Sequence, residues 1–466
     1  MLRNFRRPLA ALLLLPVLNG CAAEPAKVEA AADPRPTFEL PKEPDYKPHP
    51  KGTLTFSKDI APIVFNNCTS CHRTGEVAPF PLTNFREVQK RDVQIAGVVK
   101  ERSMPPWKPV PGYGDFHDAR RLTADQVGML AQWVEEGSTE GDAKDLPELP
   151  KFTEGWQLGP PDLVLKMPKS YTAPAEGRDV YRCFVIPIPI DGDKYVKAVE
   201  YRPGNHKVVH HALLFLDSLG QARAKEAANK DGQPGFTSFG GPGFLPTGGL
   251  GGWAPGALPR PLPDGLARKI SKGTDLVLQI HFHPTGKAEE EESTIGIYYA
   301  KEPPKRSMSA VTLRSREMNI APGDNNYKVS DSFVLPVDVE AFMITPHAHL
   351  LGKDVRAWAV LPDGKTQPLL WINDWDFSWQ GQYQYQKPIP LPKGTKVEME
   401  FTYDNSDKNP RNPSSPPKRV RWGEQTTDEM SILWLQIMPV HESDALALKW
   451  AMGKRLLGGA LGGNNK

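Results

Sequence analysis

Two groups of residues in this sequence are typed and spaced for metal or redox chemistry. The first is Cys68-Thr69-Ser70-Cys71-His72. Two thiols with two residues between them can reach the two vinyl groups of one porphyrin, and the adjacent imidazole then falls under the iron. This is the attachment pattern of c-type haem. Half of a zinc ribbon would need another thiolate or His pair nearby. Between His72 and Cys183 the sequence offers only His117. Met104, in Ser103-Met104-Pro105-Pro106-Trp107, is the expected sixth iron ligand. A thioether there would raise the potential and favour electron transfer over oxygen chemistry. The alternatives are an open site or His117 in that place.

The second group is a set of histidines far along the chain: the adjacent pair His210-His211, then His281 with His283, then His347 with His349. Strand residues two apart project to one side, so a His-x-His pair can hold one metal ion. Adjacent strand residues project to opposite sides. A bulge or a twist is therefore required before His210 and His211 can share an ion. A lone His is ordinarily structural, and three such groups in one region argue against that reading. His49, His206 and His441 are expected to be exposed or structural.

The elements around these residues follow from local signals. Residues 53–142 are expected to be helical. Thr123-Ala124-Asp125-Gln126 fits a capping box, Val127, Leu130, Trp133 and Val134 lie on one helical face, and Gly137 is placed to end the helix. From about residue 160 short alternating strands separated by Pro and Gly take over. In Leu276–His283 the apolar Leu276, Leu278, Ile280 and Phe282 share one side, and Gln279, His281 and His283 the other. The Gly-rich stretch 235–256 has no Gly-Lys-Ser/Thr ending and is expected to be an irregular loop. Glu289–Glu292 is expected to be a solvated loop, and residues 444–457 a short amphipathic helix.

The region from about 160 to 445 resembles the copper type II, ascorbate-dependent monooxygenases, the family of peptidylglycine α-hydroxylating and dopamine β-monooxygenases. The resemblance implies two antiparallel β-sandwich, jelly-roll-like domains, each carrying one copper. It implies three His ligands for the first ion, matched by His210, His211 and His281, with His283 as an extra His in support. For the second ion it implies a His-x-His pair and a Met, matched by His347, His349 and by Met430 in Thr427-Asp428-Glu429-Met430. The ligand types agree with this on their own terms, since a thioether selects soft Cu(I). In the peptide-amidating members a substrate carboxylate is held by Arg, Asn and Tyr. The matching positions here are Thr345, Ile432 and Trp434, so that clamp is missing and a more apolar or aromatic substrate is expected. The haem region likewise resembles the small class I cytochromes c.

Composition sets the outer limits. Fifty-seven Lys and Arg against 55 Asp and Glu give a net charge of +2, without the basic excess of a nucleic-acid binder. Forty-eight prolines exclude a mostly helical chain. Four cysteines exclude a disulfide scaffold, and Cys183 is expected to be a buried thiol. Arg3, Arg6 and Arg7 followed by the apolar run from Pro8 to Leu18 read as an export signal. Its end, Leu18-Asn19-Gly20-Cys21, resembles a bacterial lipoprotein box with Cys21 as the lipidated residue.

The expected organisation is a signal with lipobox (1–21), a flexible tether (22–50), a small all-α cytochrome c domain (51–145), a linker (146–160), two β-sandwich domains (161–305 and 306–445) and a tail (446–466). The expectation is an exported, periplasmic, lipid-anchored monooxygenase. It would hydroxylate a C–H bond of a small organic substrate with O₂, using one covalent haem c and two coppers. Its electrons would come from ascorbate or from a periplasmic donor through the haem. The alternatives are a non-enzymatic haem and copper electron-transfer or copper-handling lipoprotein, and a cytochrome fused to β-sandwich binding modules whose His groups are structural or bind zinc.

Overall fold

Thr123 opens a helix because its hydroxyl accepts the Gln126 backbone N–H while the Gln126 side chain accepts the Thr123 N–H. This reciprocal cap satisfies two donors that a helix start leaves orphaned. Helix Ala124–Glu135 buries Leu130 and Trp133, and Gly137, at φ +96°, ends it. Glycine enters that left-handed region without a Cβ clash. Helices Ala61–Asn67, Phe85–Gln89 and Asp92–Lys100 complete a helical module with its own core around Phe56, Ile60, Val64 and Trp133. The computed structural model describes residues 35–461 apart from 77, 153, 154 and 256. The export signal and Cys21 lie outside the described residues.

The rest is mostly β-strand, as the proline content and alternation predict. One antiparallel sheet runs in the order Phe236–Thr237, Val180–Pro187, Asp275–Phe282, Val209–Asp217, Gly248–Trp253. A second contains Leu163–Lys166, Thr294–Tyr299, Lys194–Arg202 and Arg268–Ile270. Apolar side chains from both, among them Phe184, Leu276, Leu278, Ile295 and Ile297, share one core. Further along, Ser309–Arg314, Ile432–Pro439, Val339–His347 and Tyr383–Leu391 form one sheet. Tyr327–Val334, Lys396–Tyr403, Gly352–Val360 and Thr366–Ile372 form its partner. Leu313, Ile344 and Leu435 meet Val355, Met399 and Phe401 between them. Both pairs are β-sandwiches.

Three expectations need correction. The latter part of the Gly-rich stretch contains the six-residue edge strand Gly248–Trp253, paired with the strand that carries His210 and His211. At Gly252 a Cβ would stand 2.9 Å from the Ala212 carbonyl oxygen, so here glycine allows the close backbone approach. The acidic run is not a solvated loop. Glu289–Glu291 pairs with Tyr171–Ala173, and Glu291 is buried, accepting the N–H groups of Gly204 and Asn205. Residues 35–50 are not a free tether. Phe38 stacks on Tyr113 at 5.2 Å and meets Trp371 edge-on at 5.6 Å, Arg35 pairs with Glu400, and Tyr46 donates to Gln132. Aromatic contact area ties this stretch to both the helical module and the second sandwich. The C-terminal helix is present as Ala445–Leu461.

Candidate metal centre

Val209–Asp217 pairs with Asp275–Phe282 up to His211 opposite His281, where the ladder slips between Val209 and His211. That bulge at His210 is the distortion the adjacent pair requires. Nδ1 of His211 lies 3.2 Å from Nδ1 of His210 and 3.4 Å from Nδ1 of His281. One potential ligand nitrogen from each of the three falls within 4.8 Å of the others. A proton can bridge one pair of these nitrogens but not all three; one cation among them satisfies the whole set. Burial pushes His210 down to about 3 and His211 well below the usual imidazole value, and His281 is lowered for the same first reason. All three are neutral near pH 7, the form that binds metal.

Asp179, just before strand Val180–Pro187, supports this group. Its Oδ2 lies 3.1 Å from His281 Nε2, close in charge though off-line as a hydrogen bond. Its Oδ1 lies 2.8 Å from His283 Nδ1, and the Thr426 hydroxyl donates to Oδ2. Burial alone would raise the Asp179 carboxyl; the interactions with His281, Thr426 and His283 overcome this and hold it well below the usual range. His283 is two-thirds exposed and outside the three-His group, in keeping with a supporting role.

His347 ends its strand opposite Ile432, and His349 lies in the turn that follows rather than on the strand. Buried Glu429 shapes that turn by accepting the N–H groups of His349 (3.2 Å) and Leu351 (3.3 Å). The Trp375 indole donates to the His349 carbonyl at 3.1 Å. Nδ1 of His347 donates to Gln380 Oε1 at 2.5 Å, and Nδ1 of His349 to the Asp428 carbonyl at 3.1 Å. Each ring therefore keeps its Nε2 lone pair for a ligand. The rings are 5.2 Å apart and nearly perpendicular. Burial lowers His347 to about 4 and His349 to about 3. Met430 is buried, and its carbonyl accepts the Tyr403 hydroxyl at 2.6 Å.

Both His groups open on one cavity of about 280 Å³, lined by His210, His211, His347, His349 and Met430 together with Thr345, Ile432 and Trp434. Phe377 stands between them, stacked on His210 at 4.8 Å and edge-on to His349 at 5.7 Å. Asp179, Glu429, Phe377 and Gln380 were not legible from spacing; each acts through a contact that only the fold creates. Arg314 and Arg316 also line the cavity, the first at the end of strand Ser309–Arg314, whose alternation marks its faces but not its neighbours, and the second just beyond it.

In the helical module, Cys68 caps helix Ala61–Asn67, and the N–H groups of Cys71 and His72 return to its carbonyl. His72 donates from Nδ1 to the Phe80 carbonyl at 3.0 Å, which leaves its Nε2 free. Neither cysteine forms a disulfide. Cys71 lines a second cavity of about 380 Å³, as do His117 and Trp107. Met104 is half-buried, its N–H bonded to the Val98 carbonyl, and it is not among the residues that line this cavity. Cys183 is fully buried in an apolar cluster with Val185, Phe236 and Val277, and burial pushes its thiol up to about 12.

Residues 309–445 match the family model of the copper type II ascorbate-dependent monooxygenase, C-terminal domain. This is the sandwich that holds His347, His349 and Met430, and the match supports a copper-dependent oxidoreductase of the monooxygenase type. No curated protein matches the chain. Among solved structures, the major capsid protein P2 from Bacteriophage PM2 aligns at a TM-score of 0.27 and 13% identity, over 60% of this chain and 97% of that one. The infectious bursal disease virus VP2 subviral particle aligns at 0.19 and 10% identity, over 60% and 73%. Scores this low define no shared fold.

Proposed function

We propose that this chain is an exported copper monooxygenase that hydroxylates a C–H bond of a small organic molecule with O₂. The observation that carries the reading is the convergence of His210, His211 and buried His281, with a cavity lined by the first two and by His347, His349 and Met430. The donor sets fit two coppers: three imidazole nitrogens for one, and two imidazoles with a thioether for the other. Bound copper would supply the one-electron steps and the oxygen activation. The chain's own part is to hold the imidazoles neutral, to set the Asp179 carboxylate beside His281, to fix the tautomers of His347 and His349 through Gln380 and the Asp428 carbonyl, and to seat the substrate over Ile432 and Trp434. Phe377 keeps the two donor sets apart.

We extend the proposal to a covalent haem c on Cys68 and Cys71 with His72 as axial ligand. The Nδ1 bond from His72 to Phe80 leaves the ring nitrogen that an iron requires. Haem would supply electrons one at a time, replacing or supplementing ascorbate. Trp253, Gln380 and Gln382 line both cavities, so the cavity that Cys71 lines adjoins the one that His347 lines. Export and lipid attachment at Cys21 belong to the same proposal.

The test is the metal content of the haem-matured protein loaded with copper. Two coppers per haem are expected, falling to one in a His347→Ala Met430→Ala double variant. No copper, or zinc held equally well, would leave a haem protein with β-sandwich modules and sink the enzyme. Bound copper with no substrate-coupled O₂ consumption would favour the electron-transfer or copper-handling reading.

A further inference from the structure

The sheet face that carries His347 also carries a cation, Arg314, and Arg316 follows just past the end of the same strand. Arg314 pairs with Ile432 on the neighbouring strand, and Ile432 pairs with His347 on the next. Residues paired across a sheet project to the same face, so Arg314, Ile432 and His347 form one rung. Two strand spacings put the Cα atoms of Arg314 and His347 about 10 Å apart. The rung before it, Thr312, Trp434 and Thr345, lies on that face too. The intervening Leu313, Leu433 and Pro346 turn the other way and are buried.

Arg314 and Arg316 both line the cavity of the His347 site. Nearby, the Asp331 carboxylate already pairs with Arg455, and Oδ2, the same oxygen, accepts the Arg314 backbone N–H. Arg316 lies over the Trp422 ring at 4.9 Å. Among the described residues, neither guanidinium has a carboxylate within ion-pair distance, and Glu424 is the one acidic side chain lining the cavity. Arg314 is half-buried, whereas Arg316 is exposed and has Glu424 in its vicinity. A half-buried guanidinium with no ion-pair partner, facing a cavity, is suited to receive an anion.

We propose that Arg314, assisted by Arg316, forms the anion-binding end of the pocket, so that the substrate is an organic carboxylate whose flat apolar body lies over Ile432 and Trp434. This rests on the monooxygenase reading and assigns its substrate class. The apolar wall expected from Ile432 and Trp434 stands. The anchor lies on a different strand from the three positions where a clamp was found missing.

The test uses the metal-free full chain and three probes with one body: 3-phenylpropionate, 3-phenylpropionamide and 3-phenylpropylamine, titrated calorimetrically. The carboxylate is expected to bind at least about tenfold tighter than the amide, the scale of a charge-assisted contact. Arg314→Gln should erase that preference and leave amide affinity unchanged, Arg314→Lys should restore part of it, and Arg316→Gln should weaken it less. Equal binding of acid and amide, preference for the amine, or an acid preference untouched by Arg314→Gln would overturn the proposal. Copper titration of the same samples separates the two readings. A wild-type chain that prefers the acid but holds no copper keeps the anion site and loses the enzyme. A chain that holds two coppers without acid preference does the reverse.

Discussion

At the scale of single residues, the supporting contacts leave opposite ring nitrogens available in the two candidate metal groups. His281 has the Asp179 carboxylate beside Nε2, which leaves Nδ1 turned toward His211; His347 and His349 spend Nδ1 on Gln380 and the Asp428 carbonyl, so Nε2 is free. Asp179→Asn removes the charge that favours the metal-bound imidazole. Copper affinity of the three-His group is expected to fall about 10–100-fold, with the second site unchanged, measured by competition with a chelator. Met430→Ala removes the soft donor. Its expected signature is loss of Cu(I) affinity by tenfold or more with a smaller loss for Cu(II). Equal losses for both oxidation states would show that Met430 serves packing alone. Acid has a definite sign here. Burial lowers the folded-state values of His210, His211, His281, His347 and His349. Unfolding therefore takes up protons between about pH 6.5 and the folded values. The stability contributed by neutral imidazoles is complete above about pH 6.5 and is lost as pH falls, on the order of 1–2 kcal/mol by pH 5 for each of His210, His347 and His349. Urea midpoints of the metal-free protein at pH 7.5 and 5 check this; a flat profile would contradict the burial.

At the scale of elements, the metal groups are made by strand ends and one loop. The bulge at His210, the stop after His347 and the turn held by Glu429 each break a regular ladder where a ligand must be aimed. The His spacing made the groups legible in the sequence, and the requirement of a bulge followed from strand geometry alone. The helix from Thr123 to Gly137 was legible because its signals are local. Strand Gly248–Trp253 was not, since glycines carry no alternation and its pairing partner is distant in sequence. Glu291 was misjudged because a charge run reads as solvated until the N–H groups of Gly204 and Asn205 are known to meet it. The loop between Ile372 and Tyr383 was silent for the same reason, yet it supplies Phe377 to both candidate metal groups and Gln380 to His347. Gln380→Leu frees the His347 ring without touching a ligand. The second site is expected to bind copper about tenfold more weakly with an altered Cu(II) electron paramagnetic resonance spectrum. An unchanged spectrum would mean that His347 is oriented by its backbone alone.

At the scale of the whole molecule, the helical module is docked on the second sandwich rather than tethered to it. Phe116 stacks on Tyr385 at 5.0 Å and bridges to the same strand residue. The Val110 N–H bonds to the Trp371 carbonyl and the His117 N–H to the Gln384 carbonyl. Phe116 belongs to the apolar core of that sandwich. Lys108 is the informative member of this interface. Its ammonium is buried and lies 3.0 Å from Asp374 and 3.7 Å from Asp376, both in the loop that carries Phe377 and Gln380. Removing one partner of a buried pair leaves the other charges uncompensated, while Asp374 keeps Arg411 and partial exposure as relief. Lys108→Ala is therefore expected to weaken docking by about 2 kcal/mol and not to abolish folding. Calorimetry should then resolve the helical module as a separate, earlier transition from a melt that is jointly cooperative in the unaltered chain. Because the loop answers to the same lysine, the variant should also loosen copper at His347 and His349 while the His210, His211 and His281 group keeps its affinity. Two unchanged sites beside a split melt would show that docking and the metal loop are independent. Loss at both sites would place the coupling in the sandwiches themselves.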